Sequence, residues 1–424
     1  MAPFGLLLLA AASWRPQIKA GYECLKPCDA TTRASGRRAC EVSDFRWDLL
    51  DALQHAGGLR VRGNGSVYWD TSRAAPGYSC DPAESNNQSL FMQHARSQGV
   101  KNILSLHPPK PSSPSYNASS EVFQLLANSS TRARAVAAAS SMAAAGGFDG
   151  LSVDFEGSWT ATAAFRGVFS DFVAELAATC SALSPPLTVS SALAHDLAYN
   201  TAEDATAQAK ASTDGVVIMT YDYLFATRSG ANSLSRPNAP MYPDAYMGQA
   251  SPNNNVNSSV WYTLQQLQVP PDKLTLGVAW YGKEVPTTGP SLGAKINVST
   301  IPDSSRGREQ TTYNYQQPLA EERAATVGGG HKWDNVSLTP WYSYKDPQRP
   351  WLFWQGFYDD TESLRYKYEM VKALGLRGVL IWDLNACTLG AAPSMWTALE
   401  QAFGPKLSKP SNSQSRYYRH AAMS

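Results

Sequence analysis

The sequence has no strong excess of charge and no apolar run long enough to cross a bilayer. Its 36 Lys and Arg residues are balanced by 35 Asp and Glu residues, which gives a formal net charge of +1 at pH 7. Proteins that bind nucleic acids or anionic membranes normally carry a clear basic excess. The apolar run at residues 4–12 is far too short to span a membrane. The sequence therefore predicts neither a nucleic acid nor a membrane as a partner.

Metal-binding motifs and internal repeats are also missing. The histidines show no spacing typical of a metal site, so we predict no metal and no cofactor. We assign them structural or surface roles, and His107, which follows the third predicted strand, is the one that could line a cleft. The six histidines are His55, His94, His107, His195, His331 and His420.

Cysteines are few, and their number is even. Four of the six lie before residue 81 without a matching group of histidines, which argues against zinc. Disulfides formed in an oxidising compartment fit this pattern better. Six buried free thiols remain the alternative, because a chain of this length does not need covalent cross-links. The cysteines are Cys24, Cys28, Cys40, Cys80, Cys180 and Cys387.

The N-terminus and the Asn-X-Ser sequons indicate the secretory pathway. Residues 1–20 resemble a signal peptide, with cleavage near Ala12 or near Ala20. The alternative is a ragged N-terminus with a chance leucine run. Chance would give roughly three sequons in such a composition. The chain has seven, at Asn64, Asn87, Asn117, Asn128, Asn257, Asn297 and Asn335.

Apolar strands and helical segments alternate between residues 90 and 382. Strands that are apolar at most positions, separated by helices, indicate a parallel sheet, and the length suffices for a closed barrel. The predicted strands are 100–106, 148–156, 187–192, 215–221, 274–280 and 378–382. The predicted helices are 90–98, 133–145, 161–181, 202–211, 260–269 and 362–374. We therefore predict an α/β fold, a (β/α)₈ TIM barrel.

Two regions depart from this alternation. Residues 283–346 show none, which predicts an insertion after the seventh strand. The first 80 residues contain no convincing first strand, and residues 61–69 are a weak candidate for the second. Residues 406–424 are polar and predict a disordered tail. The expected organisation is one barrel domain over residues 21–405.

The strand predicted at residues 148–156 carries the most informative pattern. Side chains alternate between the two faces of a strand. Three apolar residues share the face suited to packing against outer helices: Leu151, Val153 and Phe155. Three polar residues share the face that points into the barrel: Ser152, Asp154 and Glu156.

A pair of carboxylates at the C-terminal end of a barrel strand is a candidate catalytic group. Like charges this close cannot both ionise cheaply, so one carboxyl is held protonated. Glu156 lies outermost and is placed to give a proton to a leaving oxygen, while Asp154 lies deeper and can orient it. The alternative is a strand that ends in an acid pair with a capping role.

Four segments, in order, resemble motifs of glycoside hydrolase family 18. Residues 149–156 resemble its signature Asp-x-x-Asp-x-Asp-x-Glu, and residues 219–223, Met-Thr-Tyr-Asp-Tyr, resemble its sixth-strand motif. Residues 276–282 resemble the seventh-strand motif, and residues 357–382 resemble the last helix and strand. The resemblance covers about residues 100–390. Ser152 departs from it, because the family often has Asp or Asn there.

The resemblance implies hydrolysis without a protein nucleophile, in which the substrate's 2-acetamido oxygen attacks the anomeric carbon. Glu156 would be the acid and base, and Asp154 would hold the acetamido N–H. Tyr221 would hydrogen-bond the acetamido oxygen, and Trp382 would form the floor beneath the sugar. For these two aromatic residues, core packing is the alternative. The remaining expected substrate-binding residues are Asp149, Ser152, Asp222 and Tyr281.

Within the family, the chain resembles a chitobiase-like subgroup. The cues are residues 238–240, residues 340–347 and Cys387. They imply a monomeric lysosomal or secreted enzyme that cleaves N-acetylglucosamine linkages of chitobiose cores or short chitin oligosaccharides. One alternative is an extracellular endochitinase. The other is a non-catalytic sugar-binding protein, against which the retention of Asp154 and Glu156 argues.

Overall fold

The computed structural model describes ten segments of the chain, and all structural statements below concern these segments. They are residues 15–22, 42–70, 86–109, 121–156, 163–195, 204–224, 234–243, 254–297, 330–384 and 393–406.

Eight parallel strands close into a barrel, which confirms the predicted (β/α)₈ TIM fold. The barrel order is β1-β2-β4-β5-β6-β7-β8-β13, and β13 pairs back onto β1. The short β3 runs antiparallel to the end of β2. The strands are β1 Gln17–Tyr22, β2 Ala52–Val61, β3 Val67–Trp69, β4 Lys101–His107, β5 Gly150–Val153, β6 Thr188–Leu193, β7 Val216–Ile218, β8 Leu274–Ala279, β9 Lys283–Thr287, β10 Lys332–Asp334, β11 Thr339–Lys345, β12 Phe353–Phe357 and β13 Gly378–Trp382.

Helices lie around the outside of the barrel. Their bounds are Asn86–Ser97, Glu121–Ala127, Ser129–Ala145, Ala163–Ser181, Ala205–Ala211, Val256–Trp261, Thr361–Leu374 and Pro393–Phe403. A π-helical turn, Tyr262–Gln266, follows the sixth of these. None of the helices in the described segments is both long and apolar enough to cross a membrane.

The predicted insertion after the seventh barrel strand is a small antiparallel sheet. Four strands pair in the order β10-β11-β12-β9, between barrel strand β8 and the helix Thr361–Leu374. This sheet runs to Phe357, beyond the boundary near residue 346 that the sequence suggests. Because β9 begins four residues after β8 ends, the sheet rises directly from the C-terminal mouth of the barrel.

The hydrophobic core lies between the barrel and its helices. Leu151, Val153 and Phe155 are all buried there, which confirms the outward face predicted for this strand. The Phe155 ring stacks at 5.5 Å from the rings of both Phe169 and Phe172 on the helix Ala163–Ser181. Burying a side chain of this kind stabilises the folded state by about 1.5–3 kcal/mol relative to leaving it exposed. This packing fixes the strand end that carries the carboxyl pair.

The bottom of the barrel is held by buried charges. Lys19 of β1 lies 2.6 Å from Asp214, which precedes β7, and Arg377 donates to the same carboxylate. Both partners of the Lys19–Asp214 pair are almost completely buried. Charges buried this deeply need a partner, so the pair ties β1 to the opposite wall.

The two strands that the sequence did not reveal are β1 and β2. The second strand is Ala52–Val61, and the segment proposed for it, residues 61–69, is instead the turn and β3 that follow it. β1 overlaps the predicted signal peptide, so cleavage near Ala12 keeps it whole, whereas cleavage near Ala20 would divide it. β5 and β7 are shorter than predicted, and the carboxyl pair and Tyr221 lie just beyond them.

Cys180 is the one cysteine within the described segments. It is an unpaired thiol in the core, and burial raises its pKa to about 12. The other five cysteines, and the disulfides predicted for them, lie outside the described residues.

Candidate active site

The carboxyl pair lies at the C-terminal mouth of the barrel, just after β5. The Asp154 backbone N–H donates to the Leu106 carbonyl at 2.9 Å, which keeps the chain beside β4 beyond the end of β5. Asp154 is half-buried, and Glu156 lies two residues farther out at the mouth. The Asp154 charge, together with burial, raises the pKa of Glu156 to about 8. At a pKa of about 8, Glu156 carries a proton at neutral pH.

His107, the last residue of β4, lies beside the pair. Its Nδ1 is 3.5 Å from Asp154 Oδ2, and its Nε2 is 2.7 Å from the Ala56 carbonyl oxygen. The charge of His107 lowers the pKa of Glu156, opposing the effect of Asp154. The sequence assigned the histidines structural or surface roles and named His107 as the one that could line a cleft. The structure buries His107 directly beside Asp154.

Three aromatic side chains from neighbouring strands come together on the other side of the mouth. Tyr221 follows β7, Tyr281 follows β8, and Trp382 ends β13. They pack in one cluster with Ala239 and Ala279. The Tyr221 and Tyr281 rings meet edge to face at 6.1 Å. The mouth therefore combines an acid pair with a wall of aromatic rings.

Tyr221 keeps its proton in this environment. Burial raises the pKa of its hydroxyl well above the ordinary value, and the charges of Glu156 and Asp154 act in the same direction. A phenol that stays protonated can donate a hydrogen bond to an oxygen of a bound ligand. Tyr221 therefore presents a donor close to the carboxyl pair.

Two glycines make room for these rings. A Cβ on Gly21 of β1 would lie 2.5 Å from the Trp382 ring. A Cβ on Gly277 of β8 would lie 2.9 Å from the Tyr221 ring and 2.7 Å from the Ile218 carbonyl oxygen. Each glycine lies on the strand next to the one that carries the ring, so a larger residue at either position would displace that ring.

Asp222 is held by two side chains that follow β8. The Tyr281 hydroxyl donates to Asp222 Oδ1, and Lys283 Nζ lies 2.6 Å from the same oxygen. Lys283 is buried and also donates to the Leu224 carbonyl at 3.0 Å. Burial lowers the pKa of Lys283, and Asp222 opposes that shift. Asp222 itself adopts a left-handed backbone, with φ of 62°, which turns the chain at the mouth.

Two of the expected substrate-binding residues lie away from this group. Asp149 precedes β5 at the far end of the strand, where its carboxylate accepts a 2.7 Å hydrogen bond from the Asn102 backbone N–H. Ser152 is buried inside the barrel, below Asp154, and its register partners are Ser105 on β4 and Ser190 on β6. The structure does not bring Asp149 to the mouth, and it places Ser152 beneath it.

Lys283 and Asp383 are residues that the sequence reasoning missed. Lys283 lies two positions after Tyr281, and the charge of Asp383, next to Trp382, helps to raise the pKa of Tyr221. Each lies within two positions of a motif residue in the sequence, and this closeness could have marked both as candidates. Among the described residues, no group of three or more His, Cys, Asp or Glu side chains is arranged to hold a metal ion. These side chains can donate a proton, stabilise a positive charge with a carboxylate, and form hydrogen bonds.

The chain is similar to known proteins over most of its length. The family model described as Glycosyl hydrolases family 18 matches residues 83–386, which is more than half of the chain. The di-N-acetylchitobiase of Mus musculus is 29% identical over 147 residues, or 32% of this chain and 38% of that protein. Chitotriosidase-1 of Mus musculus is 25% identical over 268 residues, or 62% of this chain and 54% of that protein. The matches thus span less than two thirds of these relatives' lengths.

Solved structures with the same fold include a Group IV chitinase from Ostrinia furnacalis. It superposes with a TM-score of 0.68 at 18% identity and covers 92% of this chain and 98% of its own. Catalytic domain 2 of the Group II chitinase from the same organism gives a TM-score of 0.69 at 20% identity, with 94% and 98% coverage. At such identities the likeness concerns the fold.

Proposed function

Because the chain belongs to glycosyl hydrolases family 18, we propose that it hydrolyses β-1,4 N-acetylglucosamine linkages in chitobiose cores or short chitin oligosaccharides. The observation that carries the proposal is the carboxyl pair at the barrel mouth. Asp154 raises the pKa of Glu156 to about 8, so Glu156 is a protonated acid at neutral pH. A glycosidic oxygen needs such a proton donor to leave.

In the first step, the bond between the anomeric carbon and the glycosidic oxygen breaks. The proton of Glu156 goes to the leaving oxygen, and the carbonyl oxygen of the substrate's own acetamido group forms a bond to the anomeric carbon. The product is a cyclic oxazolinium ion. Asp154 accepts a hydrogen bond from the acetamido N–H, and its negative charge stabilises the positive charge that develops.

The aromatic wall positions the reacting sugar. Tyr221, held in its protonated state, donates to the acetamido oxygen and aligns it for attack. Trp382 forms the floor beneath the sugar ring. Asp222 contacts the same sugar, and Tyr281 and Lys283 fix its carboxylate. These contacts hold the acetamido group in an attacking position and so lower the entropic part of the barrier.

In the second step, water replaces the leaving group. The ionised Glu156 takes a proton from water, whose oxygen attacks the anomeric carbon and opens the oxazolinium ring. Both attacks occur with inversion, so the product retains the configuration of the substrate. Glu156 ends the cycle protonated, as it began.

The length of the substrate distinguishes two candidate activities. Matched relatives named di-N-acetylchitobiase favour a short substrate, as do residues 238–240 and 340–347. Relatives named chitinase or chitotriosidase favour the alternative, an endochitinase that acts on longer chains. Product analysis on reducing-end-labelled chitin oligosaccharides separates them, since a chitobiase releases sugar from an end and an endochitinase cuts internally.

The same proposal places the protein in the secretory pathway, as a monomeric lysosomal or secreted enzyme of oligosaccharide degradation. Three of its sequon asparagines, Asn64, Asn128 and Asn335, are exposed in the folded chain. Asn128 caps the helix Ser129–Ala145 through its side-chain oxygen, which leaves its nitrogen available for a glycan. These positions support N-glycosylation during export.

The proposal is tested by exchanging the acid for its amide. We expect Glu156→Gln to lower the rate of fluorophore release from a fluorogenic chitobioside by about 10²–10⁴-fold, because the amide cannot donate the proton to the leaving oxygen. Glu369→Gln, the same exchange on an exposed face of the helix Thr361–Leu374, is the matched control and should leave the rate unchanged. A Glu156→Gln protein with more than about a tenth of the wild-type rate on an unactivated oligosaccharide would contradict the assignment.

A further inference from the structure

The ring of His107 is fixed between a backbone carbonyl and a carboxylate. Its Nε2 lies 2.7 Å from the Ala56 carbonyl oxygen. A carbonyl oxygen can only accept, so Nε2 must carry the hydrogen of this bond. The other ring nitrogen, Nδ1, faces Asp154 Oδ2 at 3.5 Å.

The contact with Asp154 is attractive when the ring carries a second proton, on Nδ1. A neutral ring with its hydrogen on Nε2 would present the Nδ1 lone pair to a negatively charged oxygen, and two acceptors repel each other. The side chains of His107 and Asp154 are only 11% and 16% exposed, so little water can relieve that repulsion. A proton on Nδ1 converts the contact into an imidazolium–carboxylate ion pair.

The layer beneath Asp154 offers no charge of its own. Ser105, Ser152 and Ser190 are register partners on β4, β5 and β6, and all three are buried and uncharged. Ser152 occupies the position where the family signature often carries Asp or Asn. In the described part of this layer, the charge that faces Asp154 therefore comes from the side, from His107 on the neighbouring strand.

We propose that His107 is a positioning residue, which holds Asp154 ionised and correctly turned through an imidazolium–carboxylate pair. The inference rests on the proposed function for its catalytic consequence and on the geometry alone for the ion pair. Asp154 in this arrangement meets the acetamido N–H as an anion. Ser152 carries no charge that could hold Asp154 in place, and His107 from the neighbouring strand β4 holds it instead.

Other charged groups near His107 have partners of their own. Arg60, its register partner on β2, lies 2.7 Å from Asp70 and also donates to the Pro108 carbonyl. Arg60 and Asp70 therefore neutralise each other at short range. Glu156 lies farther out than Asp154 after β5, and its proton removes its charge at neutral pH. Asp154 is thus the anion that decides the protonation of the ring.

The ion pair is tested directly by nitrogen NMR of the wild-type protein with ¹⁵N-labelled histidine. An unperturbed histidine, with a pKa of about 6.5, is mostly neutral at pH 7.5. We expect His107 to show two protonated ring nitrogens at that pH, and to lose the Nδ1 proton in Asp154→Asn. A neutral His107 ring in the wild-type protein at pH 7.5 would overturn the proposal. This measurement needs no substrate, so it stands apart from the proposed function.

The catalytic consequence is tested with His107→Gln. Without the nearby cation, Asp154 binds a proton more readily and Glu156 releases its proton less readily. We therefore expect both limbs of the kcat/KM profile to move to higher pH by about 1 unit, with kcat reduced roughly 10-fold and KM little changed. A reduced rate with an unmoved profile would show a merely structural role and overturn the proposal. A wild-type enzyme inactive on every chitin oligosaccharide would instead overturn the proposed function.

The matched control is His331→Gln. His331 and Asp360 form a similar pair, at 3.4 Å, but His331 is 50% exposed. Removing it should leave the pH profile where it is, because solvent screens that pair and it does not contact the carboxyl pair. An equal shift in both variants would contradict a specific role for His107.

Discussion

At the scale of single residues, the proton on Glu156 determines how activity depends on pH. The acid must be protonated to act, and Asp154, the largest cause, raises its pKa to about 8. A carboxyl group holds its proton below its pKa and loses it above. We expect kcat/KM for a chitobioside to be retained near neutrality and to fall as pH rises through about 8.

The variant Asp154→Asn tests whether the charge of Asp154 raises the pKa of Glu156. It removes the charge that contributes most to the raised pKa of Glu156, so the alkaline limb should move to lower pH while the rate falls as the acetamido contact weakens. The measurement is the kcat/KM profile of both proteins over the alkaline range. An alkaline limb that stays in place would mean that Asp154 does not set the proton affinity of Glu156.

Gly21 contacts no substrate in the proposed mechanism, but it leaves room for the Trp382 ring. A Cβ there would lie 2.5 Å from the Trp382 ring, so Gly21→Ala must displace the indole that forms the floor of the sugar site. We expect KM for a chitobioside to rise several-fold and kcat to fall. Gly167→Ala, which meets no atom within 4 Å, serves as the control. Unchanged kinetics in Gly21→Ala would argue that Trp382 does not touch the sugar.

How much of the site could be predicted depended on whether its residues are neighbours in the sequence. Asp154 and Glu156 share one strand end, so alternation alone revealed their common face. The pairing of Lys283 with Asp222 and of His107 with Asp154 joins different strands, and no local pattern encodes it. Asp149 belongs to the signature but lies at the other end of β5, where position along the strand separates it from the mouth.

At the scale of secondary-structure elements, β1 closes the barrel and sets a limit on N-terminal processing. Ile18 and Ala20 are completely buried, and Lys19 pairs with Asp214 at 2.6 Å. A chain that begins at Gly21 loses these contacts and leaves a wall of the barrel open. We expect it to be destabilised by about 3 kcal/mol or more relative to a chain that begins at Ser13.

Urea unfolding followed by tryptophan fluorescence measures this difference. The chain from Ser13 retains all of β1 and is the matched reference. We expect the chain from Gly21 to unfold at a lower midpoint or to fail to fold. Equal midpoints would show that β1 contributes little to the barrel, and processing near Ala20 would then be compatible with the fold.

The strands that sequence patterns missed have a shared physical property. β1 carries a buried lysine, and β2 carries Gln54, His55 and Arg60, all buried, so neither reads as an apolar run. Between His55 and Leu59 the register of β2 against β4 also shifts, which breaks the alternation. Strands such as β8 and β13 were found because nearly every side chain in them is apolar.

At the scale of the whole molecule, the insertion sheet and the site are joined through two consecutive residues. Lys283, which pairs with Asp222, begins β9, and the next residue, Glu284, accepts hydrogen bonds from the hydroxyls of Tyr342 and Tyr344 on β11. A buried carboxylate satisfied in this way anchors the sheet to the chain that leaves the barrel. The side of the site that holds Asp222 is therefore supported from outside the barrel.

The central claim is that the nucleophile belongs to the substrate. Asp154 lies two residues from Glu156 on the same strand end, so it is poorly placed to attack the opposite face of the ring. The direct measurement follows hydrolysis of di-N-acetylchitobiose and of its de-acetylated form by proton NMR, which reports both the rate and the anomer released first. We expect retention of configuration for the acetylated sugar and a rate below about a thousandth of it for the de-acetylated one. Comparable rates on both sugars, or a trapped glycosyl-enzyme ester, would contradict the account.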